Sequence, residues 1–263
     1  MISALQTCLT GDHAWIGERL ALAGSRDEAI PAIDLLEPHT IGQIVDQFAE
    51  RHPGGDRRAI VSLWAQWYFL ALLTPSIAAA LCLGRVLPVG IREISVALDS
   101  TGRPDVVVLD SDGIIPSHGA APIFDKLISH NLESLIASMC RSFDIAPRVL
   151  WSNAGTVIEW TLTQFAPSAR DTGALAEGQR LLQQRSRAGK ANPLYEPVRY
   201  VPENGPLIRR RRVCCLRYRL DGVAHCGDLC PLPSVRGEAR QELRGGASCP
   251  PAQQIDEVGP RDQ

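Results

Sequence analysis

The chain lacks an excess of charge of either sign: 27 Lys and Arg stand against 29 Asp and Glu, a formal net charge of −2. A general nucleic-acid binder carries a strong basic excess, so that class is excluded and no nucleic-acid partner is expected. No secretory leader is visible, since Met1 to Arg19 shows no basic start followed by an apolar core. Its cysteines are therefore expected to face a reducing cytoplasm, where thiols persist and metal ligation outcompetes disulfide formation. No Gly-x-Gly-x-x-Gly follows a strand-like run, which removes the common dinucleotide signature. Gly173-Ala-Leu-Ala-Glu-Gly178 begins like a phosphate loop, but Gln179 and Arg180 stand where Lys and Ser or Thr are required. The histidines are scattered and form no His-Glu-x-x-His pair, and no internal repeat stands out.

What is present is enough for a large core. A chain of 263 residues makes one large domain or two small ones. About 70–75% of the unfolded surface is buried at this size, so stability needs no disulfide staples. Ile41, Ile44, Val45 and Phe48 fall at helical spacing over 38–52, with Thr40 as the expected N-cap. Pro53-Gly54-Gly55 ends that element, and Asp56 is placed to cap the next. From Ala59 to Gly84 there is no charge, a length that could cross a bilayer. Gln66, Thr74, Pro75 and Ser76 interrupt it, and the expectation is two buried helices broken at Pro75, because proline disfavours a helical residue before it. The same stretch leaves room for a peripheral contact with the inner membrane.

Glu93–Leu98 and Asp105–Leu109 are rich in β-branched residues and flank the turn-forming run 99–104, which predicts a β-hairpin. Helical periodicity returns over 121–143, again over 152–165, and as a short polar helix over 174–184. Residues 189–206 read as an irregular connection. The expected fold class is α+β: a mixed helical domain over 1–205 with an antiparallel hairpin or sheet, then a small cysteine-bearing segment over 206–233. Residues 234–263 hold few large apolar groups and read as a disordered tail containing Cys249.

Four of the eight cysteines fall within 17 residues: Cys214, Cys215, Cys226 and Cys230. Such a cluster is a metal site, an iron–sulfur site or a pair of disulfides. A 2Fe-2S centre takes four thiolates, two per iron, and tolerates irregular spacing. The adjacent pair Cys214-Cys215 favours it. Paired ligands of a structural zinc normally have two or more residues between them, so that both sulfurs reach one ion, whereas adjacent side chains diverge. A zinc-organised four-cysteine binding module without redox activity remains the strongest alternative. Disulfides suit a cytoplasmic chain poorly, and a thioredoxin-like pair is weaker still, since three residues separate Cys226 from Cys230. Gly222 and Gly227 permit tight turns around the ligands. Arg209 to Arg212, Arg217 and Arg219 place positive charge nearby, which favours a reduced cluster and raises its potential. Cys8, Cys82 and Cys140 read as buried small hydrophobes.

Arg-Arg-x-Cys-Cys-Leu-Arg-Tyr, a short loop and Cys-Gly-x-x-Cys-Pro-Leu resemble the C-terminal signature of the FhuF siderophore-iron reductases. Ser62-Leu-Trp64-Ala-Gln66-Trp67-Tyr68 resembles that family's aromatic segment, Trp151-Ser-Asn153-Ala its Trp-x-Asn element, and Asn192-Pro193-Leu194 the stretch leading to the cysteines. The likeness covers about residues 40–232. One departure is the three-residue gap, Gly227 to Leu229, where the family pattern has two. The resemblance implies a cytoplasmic iron–sulfur oxidoreductase that reduces hydroxamate-bound Fe(III) by one electron and so releases the iron. It implies a 2Fe-2S cluster held by Cys214, Cys215, Cys226 and Cys230, with a ferric hydroxamate siderophore as substrate. The electron donor would be a ferredoxin, a flavoprotein or a small reductant. Trp64, Trp67, Trp151 and Arg217 are candidate siderophore contacts, although a core role is expected for each tryptophan.

Overall fold

A computed structural model of the chain describes residues 5, 8–24, 28–116, 123–203 and 205–233; the expected tail and Cys249 lie outside them. Helix α1 (Ala14–Glu18) leads into the short strands β1 (Leu20–Leu22) and β2 (Ile30–Pro31). Helix α2 (Pro38–Ala49) starts earlier than expected, with Pro38 in its first turn and Glu37, not Thr40, at the N-cap. Proline suits that position because its φ is already helical and the N–H it lacks would have no partner there. Ile41, Ile44, Val45 and Phe48 are its buried face, as the periodicity requires.

Asp56 caps α3 (Arg57–Leu83), its carboxylate accepting from the Arg58 N–H at 2.9 Å. The expected break at Pro75 does not occur. One helix runs the whole length, and every residue from Ala59 to Cys82 except Gln66 is buried. A proline in a helix interior removes one backbone bond and crowds the preceding turn, but here burial on every side holds the helix together. Its apolar stretch, long enough for a bilayer, is mostly buried inside the protein. Helix α3 is the central core element, and it stops at Gly84 in the left-handed region.

Strands β3 (Ile94–Leu98) and β4 (Pro104–Leu109) form the expected antiparallel hairpin. The Asp99 carboxylate ties its turn by accepting from the N–H groups of Thr101 and Arg103. The hairpin is the middle of a four-stranded mixed sheet in the order β1-β4-β3-β2, with β1 parallel to β4. Val96, Val107 and Leu109 enter the same core as α3.

Helix α4 (Ile123–Leu127) continues through a π-helical turn, Ile128–Leu132, into α5 (Glu133–Phe143). Helix α6 (Pro147–Phe165) begins before the expected 152 and packs along α3. Helix α7 (Thr172–Gln183) is capped by Asp171, which accepts from the Ala174 N–H. The connection expected over 189–206 is instead largely ordered. Strands β5 (Ser186–Arg187) and β6 (Lys190–Ala191) pair antiparallel, and β7 (Val198–Pro202) pairs antiparallel with β8 (Leu207–Arg211).

Candidate metal centre

Strand β8 delivers the chain to the cysteines. Cys214 and Cys215 are consecutive, and their sulfurs have different partners. Cys215 is 2% exposed and its Sγ lies 3.0 Å from that of Cys226. Cys214 is half-buried and accepts at Sγ from the Leu216 N–H at 3.3 Å. That contact depends on Leu216 adopting a left-handed backbone, φ 66°, an uncommon conformation for a side-chain-bearing residue and one that clusters at functional sites. Gly222 and Gly227 also have positive φ, as their expected turns require. The extra residue between Cys226 and Cys230 is absorbed by a 3₁₀ turn, Gly227–Leu229, in which the Cys230 N–H donates to the Gly227 carbonyl at 3.1 Å. Cys230 is 2% exposed.

The residues around the thiols set their ionisation. The Cys226 thiol donates toward Cys215 and, with the Arg211 and Arg217 guanidiniums, holds Cys215 well below the ordinary thiol range despite its burial. Burial, with the neighbouring thiols Cys215 and Cys230, pushes Cys214 up. A backbone N–H from Arg217 also reaches the Cys215 sulfur. Amide-to-sulfur bonds of this kind are one of the levers that set cluster potentials.

A buried polar network ties this segment to the helical core. Ser62 of α3 donates its hydroxyl to the Cys215 carbonyl at 2.7 Å. Asn153 of α6 donates from Nδ2 to the Ser62 hydroxyl at 2.8 Å, and its Oδ1 accepts from Arg211. Gln66 accepts from Arg217 at 3.2 Å. The polar members of the two family-like segments are therefore the residues that hold the cysteines in place. A network that satisfies each member in a low-dielectric interior also fixes one arrangement.

The arginines fall into two groups. Arg209 pairs with Glu159, Arg210 with Glu203, Arg212 with Glu196 and Arg219 with Asp56. Arg211 and Arg217 differ. They are 5% and 7% exposed, and each is held by a neutral amide. Neither forms an ion pair with a carboxylate among the described residues, and the Nε of each, like those of Arg209 and Arg210, is buried without a hydrogen-bond partner. A buried charge demands compensation, and both guanidiniums act on the Cys215 sulfur.

Beside the thiols opens a cleft of about 480 Å³. Cys226 and the turn after it form one wall, Arg209 and Arg211 of β8 another, and Trp15 of α1 and Trp160 of α6 a third. Arg209 and Arg211 share the cleft because strand residues two apart share a face, while Arg210 between them pairs elsewhere. Of the four clustered cysteines, Cys226 is the one on the cleft lining.

Of the candidate siderophore contacts, Arg217 lines this cleft and the three tryptophans do not. Trp64 is fully buried and donates Nε1–H to the Gly102 carbonyl at 2.9 Å. Trp67 lies under the Arg103 guanidinium, and Trp151 packs against the core. Sequence reasoning missed Trp15 and Trp160. The signal available for Trp160 was its place on the α6 apolar stripe, which does not separate a cleft wall from a core position. Cys8 and Cys82, read as isolated, hydrogen-bond to one another.

Four thiols are the donor set that a 2Fe-2S centre takes. Among the described residues, no three His, Cys, Asp or Glu side chains gather as a single-metal site would need. The thiols form one close pair, Cys215 and Cys226, with Cys214 and Cys230 beside it. Comparison with known proteins agrees. A family model described as "Ferric iron reductase FhuF-like transporter" matches residues 62–207. A second, "FhuF 2Fe-2S C-terminal domain", matches residues 211–232, the span that contains all four cysteines. The chain is also 30% identical over 176 residues to a protein of Escherichia coli (strain K12) named "Ferric siderophore reductase", an alignment covering 66% of each chain.

Proposed function

Because the chain belongs to the FhuF-like ferric iron reductase family and carries its 2Fe-2S domain, we propose that it reduces siderophore-bound Fe(III) by one electron at a cluster held by Cys214, Cys215, Cys226 and Cys230. The observation that carries this reading is the position of Cys226, which belongs both to the close thiol pair and to the wall of a cleft large enough for a small molecule. When bound, the cluster supplies electrons singly. The iron of the chelate gains one electron and becomes Fe(II), and a one-electron reductant (a ferredoxin, a flavoprotein or a small reductant) restores the protein. Hydroxamates are the chelate class we assign. Their hard oxygens hold Fe(III) tightly and Fe(II) far more weakly, so reduction releases the iron, and we assign this release to the cytoplasm. The chain's own part is to bury Cys215 and Cys230, to balance the charge of the thiol set with Arg211 and Arg217, and to leave Cys226 facing the cleft.

The test is to purify the protein without oxygen and to record visible absorption and EPR before and after dithionite. Next, a ferric hydroxamate is supplied with a ferrous-specific chelator. A brown protein with an S = 1/2 signal on reduction and stoichiometric Fe(II) release is expected, and serine at any of the four cysteines should abolish both. A colourless protein holding stoichiometric zinc would sink the reading.

A further inference from the structure

The two tryptophans in the cleft only flank the core and have no part in holding the cysteines. Trp15 and Trp160 are half-buried, with ring centroids 6.5 Å apart and planes inclined by 34°. Leu70, Val157 and Leu207 extend their apolar wall toward Cys226. A volume of about 480 Å³ lies within the usual range for small-molecule sites, roughly 300–1,000 Å³. Such sites take most of their affinity from apolar and aromatic walls, and a few polar groups fix orientation.

The cationic groups of the cleft are already committed. Arg209 is neutralised by Glu159, which also accepts from the Tyr200 hydroxyl. Arg211 and Arg217 are turned to neutral amides and lower the Cys215 thiol by their charge. Four thiolates and two sulfides around two ferric ions leave a net charge of about −2. Two buried guanidiniums offset that charge, and none is left over for an anionic guest. Asp228 adds an exposed negative charge at the rim.

We propose that this cleft is the seat of the ferric chelate, and that the chelate is held by the Trp15–Trp160 wall while Arg211 and Arg217 serve the cluster. The proposal rests on the reductase reading. The hydroxamate chelate assigned under the reductase reading suits this seat, because three hydroxamates on a trivalent ion sum to zero, whereas three catecholates leave a trianion. An uncharged guest meets no unbalanced field, and its apolar periphery matches the indole wall. The trianion would lie against a cluster that becomes more negative on reduction.

Gallium(III) complexes test this, because gallium(III) has the charge of ferric iron but is not reduced here. Calorimetric titration of the cluster-loaded protein with a gallium trihydroxamate should show binding. Trp160→Ala should weaken it by about tenfold or more, with the visible spectrum of the cluster unchanged. Leu207→Trp should do the same by filling the cleft; Leu207 is 65% exposed, so that variant spares the fold. Arg217→Gln should lower the midpoint potential of the cluster. A gallium tricatecholate should bind at least about tenfold more weakly than the trihydroxamate. Unchanged affinity in both Trp160→Ala and Leu207→Trp would overturn the seat. Tighter binding of the trianion, or loss of binding in Arg217→Gln with no change in potential, would overturn the division of labour. Gallium binding does not depend on electron transfer. If the dithionite-reduced protein still reduces a ferric chelate while both cleft variants bind normally, the seat fails and the reductase reading survives. If the seat binds but no electron passes, the opposite holds.

Discussion

Helix α3 and the segment that carries the cysteines lie against each other and are secured by different means. From Ala59 to Cys82, α3 is apolar and buried almost throughout, and its stability comes from area removed from water. The segment from Arg211 to Cys230 contains two short 3₁₀ turns and no longer helix. It is fastened by a few directed bonds: Ser62 to the Cys215 carbonyl, Asn153 to Arg211 and Gln66 to Arg217. Nondirectional burial tolerates an awkward residue such as Pro75. A short polar network does not, because each missing member leaves a buried donor or acceptor unpaired. The difference suits the work. The helix supplies a rigid backing, and the segment holds sulfurs whose geometry a bound cluster completes.

Damage to the two regions should therefore separate. Leu72 is fully buried in α3. Leu72→Ala should cost about 2–5 kcal/mol by lost transfer energy and the cavity left behind. The urea midpoint of the whole protein should fall, while the visible spectrum of the folded protein stays the same. If the cluster bleached before the helices melted, the two regions would not be distinct in the way described.

Asn153→Ala attacks the seam between them. It removes the acceptor of Arg211 and the donor to Ser62 together, and a cost of about 1–3 kcal/mol is expected from the groups left buried and unpaired. Because the loss falls on the cysteine segment, the rate at which a strong iron chelator strips the cluster should rise severalfold, more than the drop in urea midpoint implies. Equal effects of Leu72→Ala and Asn153→Ala on that stripping rate would remove the basis for separating burial from network.

The same contrast explains what the sequence let one see. Regions held by burial declare themselves through periodicity. The buried face of α2, the α5 stripe and the β3–β4 hairpin all follow from spacing of apolar residues, and Asp56 is recognisable as a cap. Periodicity does not foresee that packing overrides a helix breaker, so Pro75 misleads. Strand β1 is three residues, Leu20–Leu22, and exists because Val107–Leu109 offers it an edge. Nothing local marks it. The run Arg209–Arg212 reads as a charged loop, yet its first three members belong to β8, two turned to the cleft and one to a glutamate. At the site, the cysteines and the family-like segments around Ser62 and Asn153 were visible as patterns. Their joint role was not, because hydrogen bonds between residues some 90 positions apart, such as Asn153 to Ser62, are a property of the fold.

The smallest effect is expected where the two regions meet at the surface. Asp56 caps α3 through the Arg58 N–H and pairs with Arg219 of the cysteine segment. The hydrogen bond from Arg219, with the N–H of Arg58, holds its carboxyl below the ordinary value of 3.8. A carboxyl whose pKa is depressed by folding contributes stability that is complete above the unfolded value and is lost as pH falls through the folded one. Asp56→Ala should therefore cost about 1 kcal/mol at neutral pH, the usual worth of an N-cap, because the exposed ion pair adds little. The penalty should be the same at about pH 7 and about pH 5, and should shrink only when the pH drops below the ordinary aspartate value. Urea midpoints of the two proteins across that range give the answer. A penalty that already declines between pH 7 and pH 5 would mean that the cap is not the group being titrated.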